Sequence, residues 1–322
     1  MNQKIPLIIV TGPTAVGKTE LSVRLAKEID GEIISADSIQ AYRYMDIGSA
    51  KVSAEEMQGV RHYLIDEFDP AENFNIFIFQ ERAKKYVKEI YGRNKVPIVA
   101  GGTGFYIQSL LYDIDFTEEE NDLTYRKELE ALAAEKGNHF LHEMLGRVDA
   151  KAALEIHENN VKRVIRALEY YHQTGEKISI HNETQREKKS PFDFKYFVLN
   201  MDRRLLYERI EKRVDKMLEQ GLVDEVKRLR ELGYQRSLVS MQGIGYKEIY
   251  AFLEGELSYE EAVLELKKNT RHFAKRQLTW FRREKEVEWV NFEEFGMNKN
   301  RILEYLVEKS RSILFPKAGN EV

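Results

Sequence analysis

Eight consecutive residues, Gly12-Pro13-Thr14-Ala15-Val16-Gly17-Lys18-Thr19, satisfy the pattern G-x-x-x-x-G-K-[ST] at every position. The run Leu7-Ile8-Ile9-Val10 before them is continuously apolar, as in parallel strands covered on both faces. A strand over residues 6–11 and a helix over 18–29 are therefore predicted, with the glycine-rich turn between them. Such a turn directs backbone N–H groups inward around a phosphate, the helix N-terminus adds its positive end, and Lys18 supplies a point charge. The Thr19 hydroxyl is placed to meet Mg²⁺. The motif implies a bound di- or triphosphate group without saying which molecule carries it.

Further strands are predicted at 31–35, 96–100, 194–200 and 287–290, with loops and helical patterns between the early ones. Strand, loop and helix repeated in this way indicate an α/β fold, a P-loop NTPase-like parallel sheet. The middle of the chain differs. Between Asp115 and Glu135 there are eight acids, among them Glu118, Glu119, Glu120 and Asp122, and helical patterns follow at 139–147, 150–156 and 161–171. Residues 114–191 are accordingly expected to form a helical insertion, with the polar segment 181–191 as its hinge. Residues 1–113 and 192–322 would then form the core and its C-terminal helices. Ordinary crossover helices packed on the sheet are the alternative.

The chain has 322 residues, enough for one large or two moderate domains. Fifty Lys and Arg stand against 54 Asp and Glu, so any nucleic-acid surface must be a local patch. The absence of cysteine excludes disulfides and thiol catalysis and favours an intracellular setting. The N-terminal stretch is expected to be neither a signal peptide nor a membrane span.

Asp37 follows the second strand at the sheet edge where open α/β folds bind ligands, so it is a candidate base or metal-associated carboxylate, or simply a turn cap. Gly101-Gly102-Thr103-Gly104 ends another strand, which brings Thr103 to the same edge. Tyr63-Leu64-Ile65-Asp66 resembles a Walker B strand only loosely, and no Asn-Lys-x-Asp run supports a guanine switch. His139 and His142 fit a solvated helix face better than a zinc site, and no protein-ligated transition metal is assigned.

Between Lys267 and Lys285 lie eight basic residues and one acid, Glu284, interleaved with Phe273, Trp280 and Phe281. Ser258 and Glu261 open this helix as a capping box. One face should be core, and the other either a solvated surface or a polyanion contact. Lys162, Arg163 and Arg166 form a second basic cluster, in the otherwise acidic insertion.

These segments together resemble the bacterial tRNA dimethylallyltransferases, which prenylate the adenosine beside the anticodon. The phosphate loop is joined by Ser35-Ala36-Asp37-Ser38-Ile39-Gln40 with Tyr42, Asp46-Ile47-Gly48-Ser49-Ala50-Lys51, Gly101-Gly102-Thr103, Arg163 to Glu169, Gly245-Tyr246 and Ala274-Lys275-Arg276-Gln277-Leu278-Thr279-Trp280. The matches run in order over nearly the whole chain. Ser49 stands where the family pattern has Thr. The resemblance implies that the phosphate loop holds the diphosphate of dimethylallyl diphosphate, with Mg²⁺ as cofactor near Thr19. Asp37 would be the base acting on the adenosine N6, and Lys18 and Arg203 would stabilise the leaving diphosphate. Thr103 would lie near the reacting nucleotide, which would be flipped from the anticodon loop. Ser38, Ile39 and Gln40 would hold it. Arg126, Lys162, Arg163 and Arg166 would clamp the anticodon stem-loop, while Gln242, Gly245, Tyr246, Lys247, Lys275, Arg276, Gln277, Trp280 and Arg282 would contact RNA from the core. A cytoplasmic monomer capturing one tRNA is expected. On the residues alone, a small-molecule or nucleotide kinase and an RNA-binding NTPase switch remain open.

Overall fold

The computed structural model describes residues 4–115 and 123–314; Glu118, Glu119, Glu120 and Asp122 of the acidic stretch lie outside the described residues. In chain order the elements are β1 (Ile5–Thr11), α1 (Lys18–Glu28), β2 (Gly31–Ala36), α2 (Ala54–Met57), β3 (His62–Tyr63), α3 (Ile76–Gly92), β4 (Val96–Gly101) and α4 (Gly104–Leu111). Next come α5 (Leu123–Val148), α6 (Ala150–Glu155), α7 (Val161–Thr174), α8 (Ile178–Glu187) and β5 (Phe192–Asn200). The chain closes with α9 (Arg203–Glu219), α10 (Leu222–Glu231), α11 (Tyr246–Leu253), α12 (Tyr259–Phe281), β6 (Val287–Asn291) and α13 (Lys299–Leu314).

The six strands form one parallel sheet in the order β3-β2-β4-β1-β5-β6. Its central strands carry unbroken apolar runs because helices cover both faces. Ile8, Val10, Ile33, Ile98, Phe197 and Leu199 pack with Val23 and Leu25 of α1, Ile210 of α9, Ala274 of α12 and Ile302 and Leu306 of α13. Each fully buried Leu or Ile here contributes about 1.5–3 kcal/mol. The register positions the functional end: Gly101 of β4 stands opposite both Thr11 of β1 and Ala36 of β2. The phosphate loop, the Asp37 segment and the Gly102–Gly104 turn thus leave three adjacent strands at one level. The loosely Walker-like segment supplies only the two-residue edge strand β3, and Asp66 pairs with Lys51 (2.5 Å).

Residues 1–111 with 191–322 make one compact unit, and 112–190 a second. The second unit has its own core of Leu129, Leu141, Leu145, Val164, Ile165 and Leu168. Within it α5 breaks at Gly137, whose φ of 85° only glycine adopts without strain. The polar stretch expected to be a hinge is instead largely helical, since α8 runs from Ile178 to Glu187. Asp149 anchors that helix by accepting from the Ser179 N–H (2.9 Å) and hydroxyl (2.8 Å), so its polar residues are a solvated face rather than a linker. No helix among the described residues is long and apolar enough to cross a membrane.

Candidate active site and nucleic-acid contacts

A cavity of about 880 Å³ opens at the level where β1, β2 and β4 end. Thr14, Ala15, Gly17, Lys18 and Thr19 line it, together with Asp37, Ser38, Ile39, Gln40 and Thr103. Gly12, Pro13 and Val16 are buried behind the loop. Phe74, Tyr106, Val214, Leu266 and Phe273 give the same cavity apolar walls. A volume of this order suits a small ligand and part of a second one.

The phosphate loop is shaped by a left-handed residue, Ala15 (φ 64°), in its middle. The Lys18 ammonium donates to the carbonyls of Gly12 (3.0 Å) and Pro13 (2.9 Å), which ties it across the base of the loop. Its stem keeps some surface on the cavity, but the charge itself is enclosed. Burial above all, with the Arg213 charge beside it, lowers its pKa from 10.5 to about 7 against the opposing pull of Asp37.

Asp37 does two things at once. Its Oδ1 accepts from the backbone N–H groups of Ile39 (2.9 Å) and Gln40 (3.3 Å), which makes the turn that sequence inspection offered as the plain alternative. Among the described residues nothing bonds to Oδ2, in a residue lining the cavity. Gln40 steadies the turn, donating to the carbonyls of Ser49 (3.3 Å) and Ala50 (3.2 Å) and accepting from the Ser35 hydroxyl (3.3 Å). The strip containing Ser49 is itself held by Glu225 of α10. This carboxylate accepts from the N–H groups of Asp46 (2.9 Å), Ile47 (2.8 Å) and Gly48 (3.0 Å) and from the Tyr246 hydroxyl (2.8 Å).

Of the two cations expected to meet the leaving diphosphate, Lys18 lines the cavity and Arg203 does not. Arg203 begins α9 on the exposed surface, donates to the Tyr207 hydroxyl (3.1 Å) and does not line the cavity. About two to four turns further on, Arg209, Lys212, Arg213 and Lys216 do line it. Arg209 lies beside Gly17 of the phosphate loop. Burial pulls the Arg213 guanidinium below its ordinary value, while Asp37 and Glu56 favour its charged form. Spacing of three and four residues places these four on one helix face, which is where they were detectable in the sequence.

Several expected RNA contacts also change role. Arg126 forms a two-pronged ion pair with Glu169 (2.8 and 2.7 Å) inside the second unit, so it braces α5 against α7 rather than presenting itself to a ligand. Tyr246 is fully buried and bonded to Glu225. Gly245 is buried as well, with φ 99° at the start of α11. Gln277 is 6% exposed and uses both ends of its amide internally. Trp280 packs its ring against Gly104, where no side chain would fit, and near Phe105. Gln242, Lys247, Arg276 and part of Gln277 line the main cavity.

Surface positions remain at Lys275, Arg276 and Arg282, and at Lys162, Arg163 and Arg166 on α7. On α12 the basic run divides. Lys267 pairs with Asp215 (2.6 Å), Lys268 with Glu265 (2.9 Å) and Arg271 with Glu211 (2.6 Å). Among the described residues, no carboxylate pairs with Lys275, Arg276, Arg282 or Arg283. Lys275, Arg276 and Arg283 join His272, Thr279 and Trp280 around a shallow second recess.

No group of three or more His, Cys, Asp or Glu suited to a metal occurs among the described residues. A protein cage is therefore absent there, but Mg²⁺ bound chiefly by substrate phosphates and water asks for only one or two protein oxygens. The exposed Thr19 hydroxyl, on the cavity with Asp37, fits that requirement.

Known proteins resemble this chain over most of its length. Residues 40–284 match the family model described as IPP transferase. A tRNA dimethylallyltransferase of Lachnoclostridium phytofermentans is 61% identical over 93% of this chain and 96% of its own. One from Acetivibrio thermocellus is 52% identical over 92% and 95%. The solved tRNA delta(2)-isopentenylpyrophosphate transferase of Staphylococcus epidermidis superposes with a TM-score of 0.70 at 46% identity, covering 95% of this chain and 98% of that one. A eukaryotic dimethylallyltransferase solved while acting on tRNA gives 0.82 at 28% identity over 96% and 79%. On this likeness over nearly its whole length, the chain is a member of the IPP transferase family, the tRNA dimethylallyltransferases.

Proposed function

We propose that the chain transfers the dimethylallyl group of dimethylallyl diphosphate to N6 of the adenosine 3′ to the anticodon, position 37 of the tRNA, with release of diphosphate. The observation that carries this reading is the Asp37 side chain, whose second carboxylate oxygen has no partner among the described residues, on the same cavity as the phosphate loop and an apolar wall.

An exocyclic adenine amine is a poor nucleophile because its lone pair is delocalised into the ring. As N6 bonds to the allylic C1, the C1–O bond to diphosphate breaks and one N6 proton passes to Asp37 Oδ2. Negative charge grows on the departing diphosphate. The loop N–H groups, Lys18, Arg209 and Arg213 stand where they can bind it. Mg²⁺, when bound at Thr19, adds positive charge to those phosphate oxygens. Phe74, Tyr106 and Phe273 exclude water from the allylic group, and Thr103 and Ser38 flank the place of the adenine.

An adenosine within a stacked loop reaches such a cavity only when flipped out. Lys275, Arg276 and Arg282 in the core unit, and Lys162, Arg163 and Arg166 in the second, provide phosphate contacts that position the anticodon stem-loop. The enzyme would work as a cytoplasmic monomer on one tRNA. Incubation with Mg²⁺, unmodified tRNA and labelled dimethylallyl diphosphate should place label on an adenosine after digestion to nucleosides. Absence of label together with ATP turnover would return the loop to a kinase or switch role.

A further inference from the structure

We propose that Gln277, far from the loop in sequence, is a positioning residue that sets the phosphate loop against the Gly101–Gly104 turn, so that its effect falls on diphosphate binding and not on RNA. The proposal rests on the reading of the loop as the diphosphate cradle.

The amide of Gln277 accepts the Thr14 N–H at Oε1 (2.8 Å) and donates from Nε2 to the Gly102 carbonyl (2.9 Å). One planar group therefore spans two loops that leave neighbouring strands. No other side chain of this length offers an acceptor and a donor side by side. Glutamate accepts only, methionine does neither, and asparagine is one methylene short. The approach is so close that a Cβ on residue 102 would collide with Nε2, which accounts for the glycine there. Thr14 immediately precedes the left-handed Ala15, so the tie fixes the backbone just where it takes an unfavourable turn to aim the following N–H groups inward. Without the Gln277 carbonyl, the Thr14 N–H would lose its partner and the loop would gain alternatives to the binding geometry.

The position of Gln277 between exposed Arg276 and the half-buried Leu278 makes the opposite assignment, an RNA contact, an explicit competitor. Binding of inorganic diphosphate and of an anticodon stem-loop to the full chain with Mg²⁺, measured separately by calorimetry, distinguishes the two. In Gln277→Met and Gln277→Asn, diphosphate affinity should fall about tenfold, the scale of one lost hydrogen bond. Stem-loop affinity should stay within about twofold, and steady-state kinetics should raise KM for the prenyl donor alone. Should stem-loop affinity fall while diphosphate affinity holds, or should both hold in folded protein, the proposal is overturned.

Hydrogen exchange of the wild-type segment over residues 12–17 covers the case in which both variants misfold. The Thr14 amide should be protected without ligand, and its rapid exchange would refute the tie. Because inorganic diphosphate binding is read without turnover, a failure of prenyl transfer would leave this test intact.

Discussion

The Arg213 guanidinium lowers the proton affinity of the Lys18 ammonium across a cavity that both line, and Asp37 acts in the opposite sense on each. Two cations and one carboxylate thus share a largely enclosed space with a net positive charge. Such a site is held apart by the fold and relieved by an anion.

A pH dependence follows. The folded pKa of Lys18 is about 7, below its ordinary 10.5. Between these values the unfolded chain binds more protons, so the ligand-free protein should gain stability as pH rises through this window, with the full penalty present below it. Diphosphate favours the ammonium, so binding should take up a proton. Calorimetry with dimethylallyl diphosphate at pH 8, above the phosphate pKa of about 6, should show uptake that varies with buffer ionisation enthalpy. An enthalpy independent of buffer would mean that Lys18 is already charged.

Replacement of Asp37 separates its two oxygens. Asparagine keeps an acceptor for the Ile39 and Gln40 N–H groups but loses the basic oxygen. Asp37→Asn should therefore cut turnover about 10²–10⁴-fold with melting temperature and RNA affinity unchanged. Asp37→Ala should lose the turn as well, and differential scanning calorimetry should register the added destabilisation. Near-normal turnover in the asparagine variant would remove Asp37 as the base.

On α9, the comparison is between an exposed and an enclosed arginine. Arg213→Ala should reduce kcat/KM for the prenyl donor by about 10²-fold or more, as for loss of a charge-stabilising donor. Arg203→Ala, on the surface, should change it by less than about twofold. Equal losses would show that the leaving group lies nearer the start of the helix.

Charge reversal on α12 should depend on which end is altered. Lys275→Glu with Arg276→Glu should weaken stem-loop binding and shallow its salt dependence by about two phosphate contacts. Lys268→Glu, whose partner is already Glu265, should leave that slope unchanged. Filter binding across a salt series reads both.

How far the sequence shows all this depends on the range of the interaction. The strand, glycine turn and helix around Lys18 are local patterns, and the resemblance carried by the Asp37 and Lys275–Trp280 segments extended them to the family. The sequence also offered both roles of Asp37, and the structure shows that the turn uses one oxygen and leaves the other. The differences concern long-range partners. Arg126 is an exposed-looking cation in an acidic segment until Glu169 is seen beside it. Arg203 and Arg213 stand nearly three turns apart on α9, and which of its turns faces the cavity is set by packing. Gln277 and Tyr246 sit in motifs that suggested ligand contact, whereas their hydrogen bonds to Thr14, Gly102 and Glu225 hold backbone that lines the cavity. Polarity misled at residues 181–191, where α8 needed only Asp149 to fasten its start.

The phosphate loop precedes by 263 positions the residue that holds its Thr14 amide. Strand β5, the second neighbour of β1, also arrives only after the whole second unit has been made. During synthesis, therefore, the loop exists for most of the chain's length without the partners that shape it, and a chain arrested before α12 would hold the motif but not the cradle.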